Sequence, residues 1–530
     1  MKILFIHKYF ALTTSSSAIR GYKNVKVLLD HGHEVTVICS NDGRNEIPQD
    51  IPFLNGYREM FVDGIRIIQI QTNYSNNLNY IRRSIAFIWF AIACIPEALF
   101  NKYDLIFATS TPLTVSITGI FLRWIKGTPF VFEVRDLWPE TLRALGFIKN
   151  PFLYQILKIY EFISYFSADA CIGLSRGMCK GISSCGISQS KIYNIPNACD
   201  LDIFSPLETN CQKSPELIAY QELNYPLSTK DFVAVFSGAH GVANGLNAIL
   251  DMALELKIKN INDIQILFIG EGSQKENLKQ RAKKQKLDNC HFLSPIPKPD
   301  LAKLLKQSAH VGLMVLDDIP EFQNGTSPNK FFDYIASGLP VINNYPGWLA
   351  DLITENNAGI VVPPKDAKGF AEALIRIKND ANTFDSMSAN AYELGRSNFS
   401  REFLTSKWIK VLESVHYKYA HRRINYLRTQ FYAIFKNFSD RLSALIAIFF
   451  LSPLLVCIAL LVIFNLGTPI FYLQERTGYL GKPFFIYKFR TMTNERDECG
   501  NLLPDIQRLT SFGKWLRKTS IDELPELFNI

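Results

Sequence analysis

The stretch FVAVFSGAHGVANGLNAILDMALELKIKNINDIQILFIGEG, residues 232–272, decides how the rest of the chain is read. An apolar run from Phe232 to Gly238 leads into a Gly-rich turn and a helical stretch to about Lys259. A second apolar run, IQILFI, then ends at Gly270 and Gly272. Runs that are apolar without alternation are strands covered on both faces, and strand, helix, strand in that order is the unit of a parallel sheet. Downstream the pattern continues through HFLS, VGLMVL, PVINN and GIVVP. Upstream it occurs in ILFI (Ile3 to Ile6), a helix from about Ala18 to Asp30, HGHEVTVICS, YDLIFAT (Tyr103 to Thr109) and PFVFEV (Pro129 to Val134). Two consecutive α/β series of similar size predict twin Rossmann-like domains facing a cleft, because ligands in such sheets bind beyond the carboxyl ends of the strands.

A chain of 530 residues exceeds what one core can organise, and about three units are expected. Apolar residues at 48% and charged residues at 20% describe a folded protein, and 39 Phe with 22 Tyr suit one that touches lipid. The net charge of +8 is not gathered into a Lys/Arg stripe, which argues against nucleic acid and fits an anionic membrane or a phosphorylated substrate. The ten cysteines form no CxxC pair and have no His partners at zinc-site spacing, so they read as reduced cytoplasmic thiols. The start, MKILFIHKYF, is too short an apolar run for a signal peptide and reads as a first buried strand.

Between Leu442 and Phe464 runs a charge-free segment of 23 residues, which as a straight helix would reach roughly 35 Å, enough to cross a bilayer. Ser452 and Pro453 stand in its middle. Arg422, Arg423, Arg428, Lys436 and Arg441 precede it, and Arg476, Lys482, Lys488 and Arg490 follow it. Basic residues on both sides place both flanks in the cytoplasm, so a kinked, re-entrant hairpin is predicted, with a proline-kinked span as the alternative. A second apolar stretch, Ser84 to Phe100, is broken by Pro96 and Glu97. It reads as a core helix, or alternatively as an interfacial surface behind Arg82 and Arg83.

Small residues that follow a buried strand let backbone amides approach a diphosphate, which makes Gly238, His240, Gly241, Gly270 and Gly272 candidate binding positions. In GTSPNKFFDYIASG, Ser327 and Pro328 mark a helix start, with Asn329 and Lys330 at its opening and Asp333 a turn on. Asp136 follows a strand, beside Arg135 and Trp138. PFVFEVRDLWPETLRALG, IYNIPNACDLDIF, FSGAHGVANGL, FIGEGSQKENL and GTSPNKFFDYIASGLPVINN together resemble the retaining family-4 glycosyltransferases of the GT-B fold, in the branch that makes bacterial surface polysaccharides and includes N-acetylfucosamine-type transferases. The resemblance implies an N-terminal Rossmann-like acceptor domain over 1–206, a C-terminal Rossmann-like nucleotide-sugar domain over 207–396 and a crossover helix over 397–420. It also implies that Lys330 neutralises the departing diphosphate, that the loop with Ser327 and Asn329 holds the donor sugar, that Asp333 stands where the family's second motif glutamate holds ribose, and that Asp136 meets the reacting sugar or the acceptor hydroxyl. No cofactor is expected for this half. Gly325 replaces the family's first motif glutamate, and the loop after Phe236 lacks its usual Arg and Lys, which leaves Lys330 as the phosphate ligand.

A basic linker is expected over 421–440. The Ser-Pro-broken segment, QERTGYLGKPFFIYKFRTM and LRKTSIDELPELFN make residues 441–530 resemble the bacterial sugar transferases, monotopic polyprenol phosphate phosphoglycosyl transferases. The resemblance implies that Asp522 attacks the nucleotide sugar's phosphate and that Glu523 associates with Mg2+, with Arg476, Lys488 and Arg490 offsetting charge. Members of that family continue through a Gly-Asp-Met-Ser-type strand and a Gly-Pro-Arg-Pro motif, so the module is expected to be cut short and inactive by itself. The whole then reads as a monotopic protein at the cytoplasmic face of the bacterial inner membrane. It would move a sugar from a nucleotide-sugar donor to a polyprenyl-diphosphate-linked acceptor in surface polysaccharide synthesis. A nucleotide-sugar epimerase of GT-B fold and a non-catalytic membrane scaffold are the competing readings.

Overall fold

The apolar runs of the first two hundred residues form one sheet. β1 (Lys2–Ile6), β2 (Glu34–Ser40), β3 (Tyr57–Val62), β4 (Ile65–Ile70), β5 (Leu105–Thr109), β6 (Phe130–Val134), β7 (Ala170–Gly173) and β8 (Ile192–Asn194) lie in the order β3-β4-β2-β1-β5-β6-β7-β8. Neighbours are parallel except β3 and β4, an antiparallel pair at one edge. The computed structural model describes residues 1–12, 19–42, 51–72, 74, 78, 80–204, 231–319, 325–421, 426–477, 483–497 and 500–529. The expected boundary at 206/207 lies outside them, as do Arg422, Arg423 and Lys482. The chain divides into two units, Met1–His421 and Arg422–Ile530.

β9 (Phe232–Ser237), β10 (Ile264–Ile269), β11 (Cys290–Leu293), β12 (Val311–Met314), β13 (Val341–Asn343) and β14 (Gly359–Val361) form a second, wholly parallel sheet in the order β11-β10-β9-β12-β13-β14. Strand order reverses beside β1 in the first sheet and beside β9 in the second. Such reversals open crevices at the carboxyl ends of the strands.

Both faces of the first sheet are covered. On one, Val25 and Leu28 of the helix Arg20–Asp30 pack with Ile3, Phe5, Val37 and Phe107. On the other, Phe90, Ile120 and Tyr165, from the helices Tyr80–Ala93, Ser116–Ile125 and Pro151–Ser167, pack with Leu4, Ile6, Ile106 and Phe132. The helix Arg401–His421, which follows the second sheet in sequence, returns to the first. Its fully buried Trp408 stands edge-on to Phe107 at 5.1 Å and to Phe5 at 6.4 Å. One chain thus locks the two halves of the first unit together.

In the second unit the structure departs from expectation twice. The stretch expected as a linker is helical from Tyr426, and the expected hairpin is a single helix, Tyr426–Leu466, of 41 residues with Pro453 inside it. Proline cannot donate to the carbonyl four residues back, which here belongs to Phe449. The Ser452 hydroxyl donates to the Phe449 oxygen at 2.8 Å in its place. That substitution lets the helix continue through the break. β15 (Phe471–Thr477) and β16 (Pro483–Phe489) form an antiparallel pair. A small core joins Ile458, Val462 and Leu466 of the helix to Phe489 and Leu516.

Ser452→Ala is expected to lower stability by about 0.5–1.5 kcal/mol, because it leaves the Phe449 carbonyl without its hydroxyl donor. In a Pro453→Leu background, which restores the backbone donor, the same change should cost nothing. Chemical unfolding of the detergent-solubilised chain measures this coupling.

Candidate functional site

The crevice of the second sheet is built by one tyrosine. The Tyr334 hydroxyl accepts from the backbone amide of Ser237 at 2.8 Å and lies 3.2 Å from the Ser237 hydroxyl, at the carboxyl end of β9. The Tyr334 ring lies against β12 at Gly312, where an added Cβ would stand 2.3 Å from it. The helix Asn329–Ala336 is thereby laid over the strand reversal. Its first turn places the Lys330 ammonium 3.9 Å above the Phe236 ring, donating to Asn244 Oδ1 at 3.1 Å. Gly238 makes the space: a Cβ there would come within 3.2 Å of Lys330 Cε. Among the described residues no carboxylate pairs with Lys330, and desolvation pushes its pKa down to about 7.

The loops after β9 and β10 are stitched together. The Gly238 amide donates to Ile269 O at 2.9 Å, the His240 amide to Glu271 O at 2.8 Å, and the Gln274 amide to His240 O at 2.9 Å. A Cβ on Gly270 would stand 1.9 Å from the Gly238 oxygen, and one on Gly272 would stand 2.5 Å from the His240 carbonyl, so this approach requires glycine at both. The expectation that Gly238 and His240 offer their amides to a diphosphate is therefore corrected, since both are spent on the partner loop. Nor does a helix open at Gly241. A 3-10 turn, Val242–Asn244, intervenes, and the helix begins at Asn247. The His240 imidazole is buried among Phe236, Phe268 and Phe292. Burial, helped by Lys275, holds its pKa down to about 4, so the ring is neutral at pH 7.

Asn329 opens the helix as expected. Ser327 instead faces the other half of the unit: its hydroxyl accepts from the Asn197 amide at 3.3 Å, and its carbonyl accepts from Asn197 Nδ2 at 2.5 Å. Asp333, expected at the ribose position, is paired within the protein. Both of its oxygens are taken by Lys298 Nζ, at 2.6 and 2.5 Å, with both side chains buried. Burial raises the Asp333 pKa and Lys298 opposes the rise. Nothing local to the motif signals a partner 35 residues upstream.

At the carboxyl ends of the first sheet, half-buried Asp136 accepts from Thr111 Oγ1 at 2.7 Å. Burial raises its pKa, against the Thr111 bond and the Arg135 charge. Arg135 reaches His7 Nε2 at 3.2 Å, at the end of β1. His7 was missed by the sequence reading, as was the buried ion pair of Arg20 with Glu133 at 2.8 Å. A glutamate inside the apolar run FVFEV was the available signal. Leu137, next to Asp136, lies 3.9 Å from where a Cβ on Gly325 would be. The VRDLWPE and GTSPNK motifs therefore face each other across the unit.

In the second unit, Asp522 and Glu523 begin the 3-10 segment Ile521–Asn529, which docks on β16 as Asn529 accepts from the Tyr487 amide at 3.1 Å and donates to Phe485 O at 2.8 Å. Lys488 pairs with Glu523 at 2.5 Å and with Glu526 at 3.2 Å. Burial, followed by the neighbouring Glu523, raises the Asp522 pKa, while Lys488 and Arg517 oppose it. Arg517 was missed by the sequence reading. Of the other expected cations, Arg476 is exposed on β15, and Arg490 donates to Thr468 O at 2.8 Å, at the end of the long helix. For magnesium, one carboxylate oxygen of Glu523 is paired with the Lys488 ammonium, and no three His, Cys, Asp or Glu side chains converge among the described residues.

Family models match three segments: Glycosyltransferase Family 4 over residues 23–203, Glycosyl transferases group 1 over 223–394, and Bacterial sugar transferase over 431–530. The chain thus carries glycosyltransferase domains followed by a bacterial sugar transferase domain. It is similar to an uncharacterized sugar transferase, EpsL, of Bacillus subtilis, 52% identical over 84 residues, which are 14% of this chain and 42% of that protein. It is also similar to the UDP-glucose:undecaprenyl-phosphate glucose-1-phosphate transferase of Xanthomonas campestris, 36% identical over 107 residues, 19% of this chain and 22% of that one. The chain spans less than half the length of either relative. Among solved structures, sucrose-phosphate synthase from Thermosynechococcus elongatus aligns with a TM-score of 0.60 at 16% identity, over 78% of this chain and 98% of that one. HepE of Anabaena in complex with UDP and glucose aligns at 0.58 and 15%, over 78% and 100%. The fold of the first unit is GT-B-like.

Lys298→Met is expected to cost about 3–5 kcal/mol of stability, because it strands the buried Asp333 carboxylate. Asp333→Asn should likewise lower the thermal midpoint and leave the KM for donor within about twofold. A Asp333→Asn variant of native stability with a sharply raised KM would restore the ribose role.

Proposed function

We propose that the first unit is a retaining, family-4-type glycosyltransferase. It moves a sugar from a nucleotide-sugar donor to a polyprenyl-diphosphate-linked acceptor in the synthesis of a bacterial surface polysaccharide, in the branch that includes N-acetylfucosamine-type transferases. The observation that carries this reading is Lys330: a partly buried cation without a carboxylate partner among the described residues, at the strand reversal where α/β sheets bind ligands. A diphosphate entering beside Phe236 and Gly238 supplies the missing negative charge and draws a proton onto the lysine. As the bond to the anomeric carbon breaks, charge accumulates on the departing phosphate oxygen. An ammonium held in a desolvated site opposes that charge more strongly than water does.

Asp136 stands on the opposite half, with Leu137 against Gly325, and in this reading it meets the acceptor hydroxyl or the reacting sugar. The site mainly positions the two substrates and needs no metal. A UDP-type donor is favoured by the UDP held in the similar HepE structure, and a polyprenyl carrier by the undecaprenyl phosphate in the name of the Xanthomonas relative. In the second unit Asp522 is the candidate nucleophile and Glu523 its neighbour, held by Lys488. The exposed apolar face of the helix Tyr426–Leu466 would seat the chain as a monotopic protein at the cytoplasmic side of the inner membrane.

With labelled nucleotide sugar and a polyprenyl diphosphate sugar acceptor, Lys330→Ala should lower kcat/KM for donor by about 10²- to 10³-fold while the fold is retained. In the wild type kcat/KM should fall as pH rises through about 7, since the free protein loses the Lys330 proton there. Lys330→Arg should abolish that limb of the profile. EDTA should leave turnover unchanged. Wild-type turnover by Lys330→Ala would remove the lysine from the reaction.

A further inference from the structure

The outer sides of three neighbouring helices in the first unit are apolar and exposed. On the helix Tyr80–Ala93, Ile81, Ile85, Ile88 and Ile92 recur at helical spacing, with Ile81 73% and Ile85 61% exposed. On the helix Pro151–Ser167 the same holds for Phe152, Ile156, Ile159 and Phe166, with Phe152 74% and Ile159 60% exposed. Between them the helix Ser116–Ile125 presents Trp124 and Ile125. The opposite sides of these helices bury Phe90, Ile120 and Tyr165 against the sheet, so the outward stripes are not core residues out of place. An amphipathic surface helix normally turns charge outward. Here a broad apolar face is turned to solvent, as in surfaces that meet lipid or another protein.

Charge selects between those occupants. The only carboxylate in the three helices is Glu161, which is buried and paired with Lys158. Exposed Arg82 is on the first helix, exposed Lys126 directly follows the second and exposed Lys149 precedes the third, while the nearby carboxylates Glu140 and Asp169 are paired with Lys158 and Arg123. Two copies of this chain meeting by this face around a twofold axis would set like charges against each other. An anionic membrane surface would complement them, with Trp89 and Trp124 at the polar boundary. The first of these helices has 14 residues and is half committed to the core, so it lies on a bilayer and does not cross one. The inner side of the same helix reaches the candidate acceptor region. Phe87 packs edge-on to Trp138 at 6.5 Å, two residues from Asp136, and its carbonyl accepts from Thr114 at 3.1 Å.

We propose that the outer face of the helices Tyr80–Ala93, Ser116–Ile125 and Pro151–Ser167 is a membrane-docking surface of the first unit, seated on anionic lipid independently of the long helix of the second. The surface holds the acceptor-side crevice against the bilayer, so a lipid-linked sugar would reach Asp136 without leaving the membrane. That last use rests on the proposed transfer reaction, but lipid contact is measured without turnover, and the two claims fail separately.

The test uses the full chain bound to vesicles of phosphatidylcholine with phosphatidylglycerol, with either plain or brominated acyl chains. The difference in tryptophan emission between wild type and Trp89→Phe isolates Trp89. Bromine should quench at least about half of that difference, as expected for a face sunk some 5–10 Å into the interface. In an Ile85→Glu/Ile156→Glu variant the quenching of Trp89 should disappear while the protein still sediments with vesicles. Equal difference spectra in plain and brominated lipid would overturn the proposal. So would a dimer in detergent that the double glutamate variant converts to monomer, since the face would then pair two copies.

Discussion

An ammonium group drawn out of water without a counter-ion is unfavourable, and the first unit is arranged around one. Lys330 is fixed because Tyr334 ties its helix to the end of β9, because Gly312 admits the Tyr334 ring, and because Gly238 has no side chain to fill the space. Among the described residues its charge is met by the amide oxygen of Asn244, in the turn that follows the Gly-rich loop. A group in this state binds a diphosphate more strongly than a solvated lysine does, because part of the desolvation has been incurred during folding.

Polar contacts elsewhere in the unit hold its two halves in register. Arg401 clasps Asp200 through two bonds, of 2.8 and 3.0 Å, where the chain returns from the second sheet. Lys298 takes both oxygens of Asp333 near the same place, and Asn197 grips Ser327 at the mouth of the donor loop. Arg20, paired with Glu133, also donates to the carbonyl of Pro196 at 2.7 Å. Residues 195–200 are therefore held from both sides, and the loop that carries Lys330 is held to them. The position of the cation relative to Asp136 follows from this seam.

Most of the sheet architecture was legible because doubly buried strands leave unbroken apolar runs, as in ILFI, FVFEV and IQILFI. The edge pair β3 and β4 was not, since β3 alternates buried with exposed residues and carries Arg58 and Glu59. Site residues were placed on their turns correctly, as at Lys330, Gly270 and Gly272, although the amide of Gly270 is spent on the Leu293 carbonyl. They were misread where a partner distant in sequence decides them. Lys298 claims Asp333, and the carbonyls of Ile269 and Glu271 claim the amides of Gly238 and His240. Pro453 misled for a third reason: a serine hydroxyl one residue earlier supplies the bond that proline cannot. Ser84 to Phe100 was read as a core helix with an interfacial alternative; one side of it is buried against the sheet and the other is exposed.

The state of the Lys330 ammonium is the most direct measure of this account. Carbon-13 labelling of lysine side chains, with Lys330→Arg to assign the signal, gives its titration curve in the free protein and with UDP bound. The account predicts a midpoint near 7 in the free protein. It predicts a rise above about 9 with UDP, as an anion within a few ångströms restores the charged form. A midpoint in the ordinary lysine range in the free protein, or one that UDP leaves in place, would contradict it.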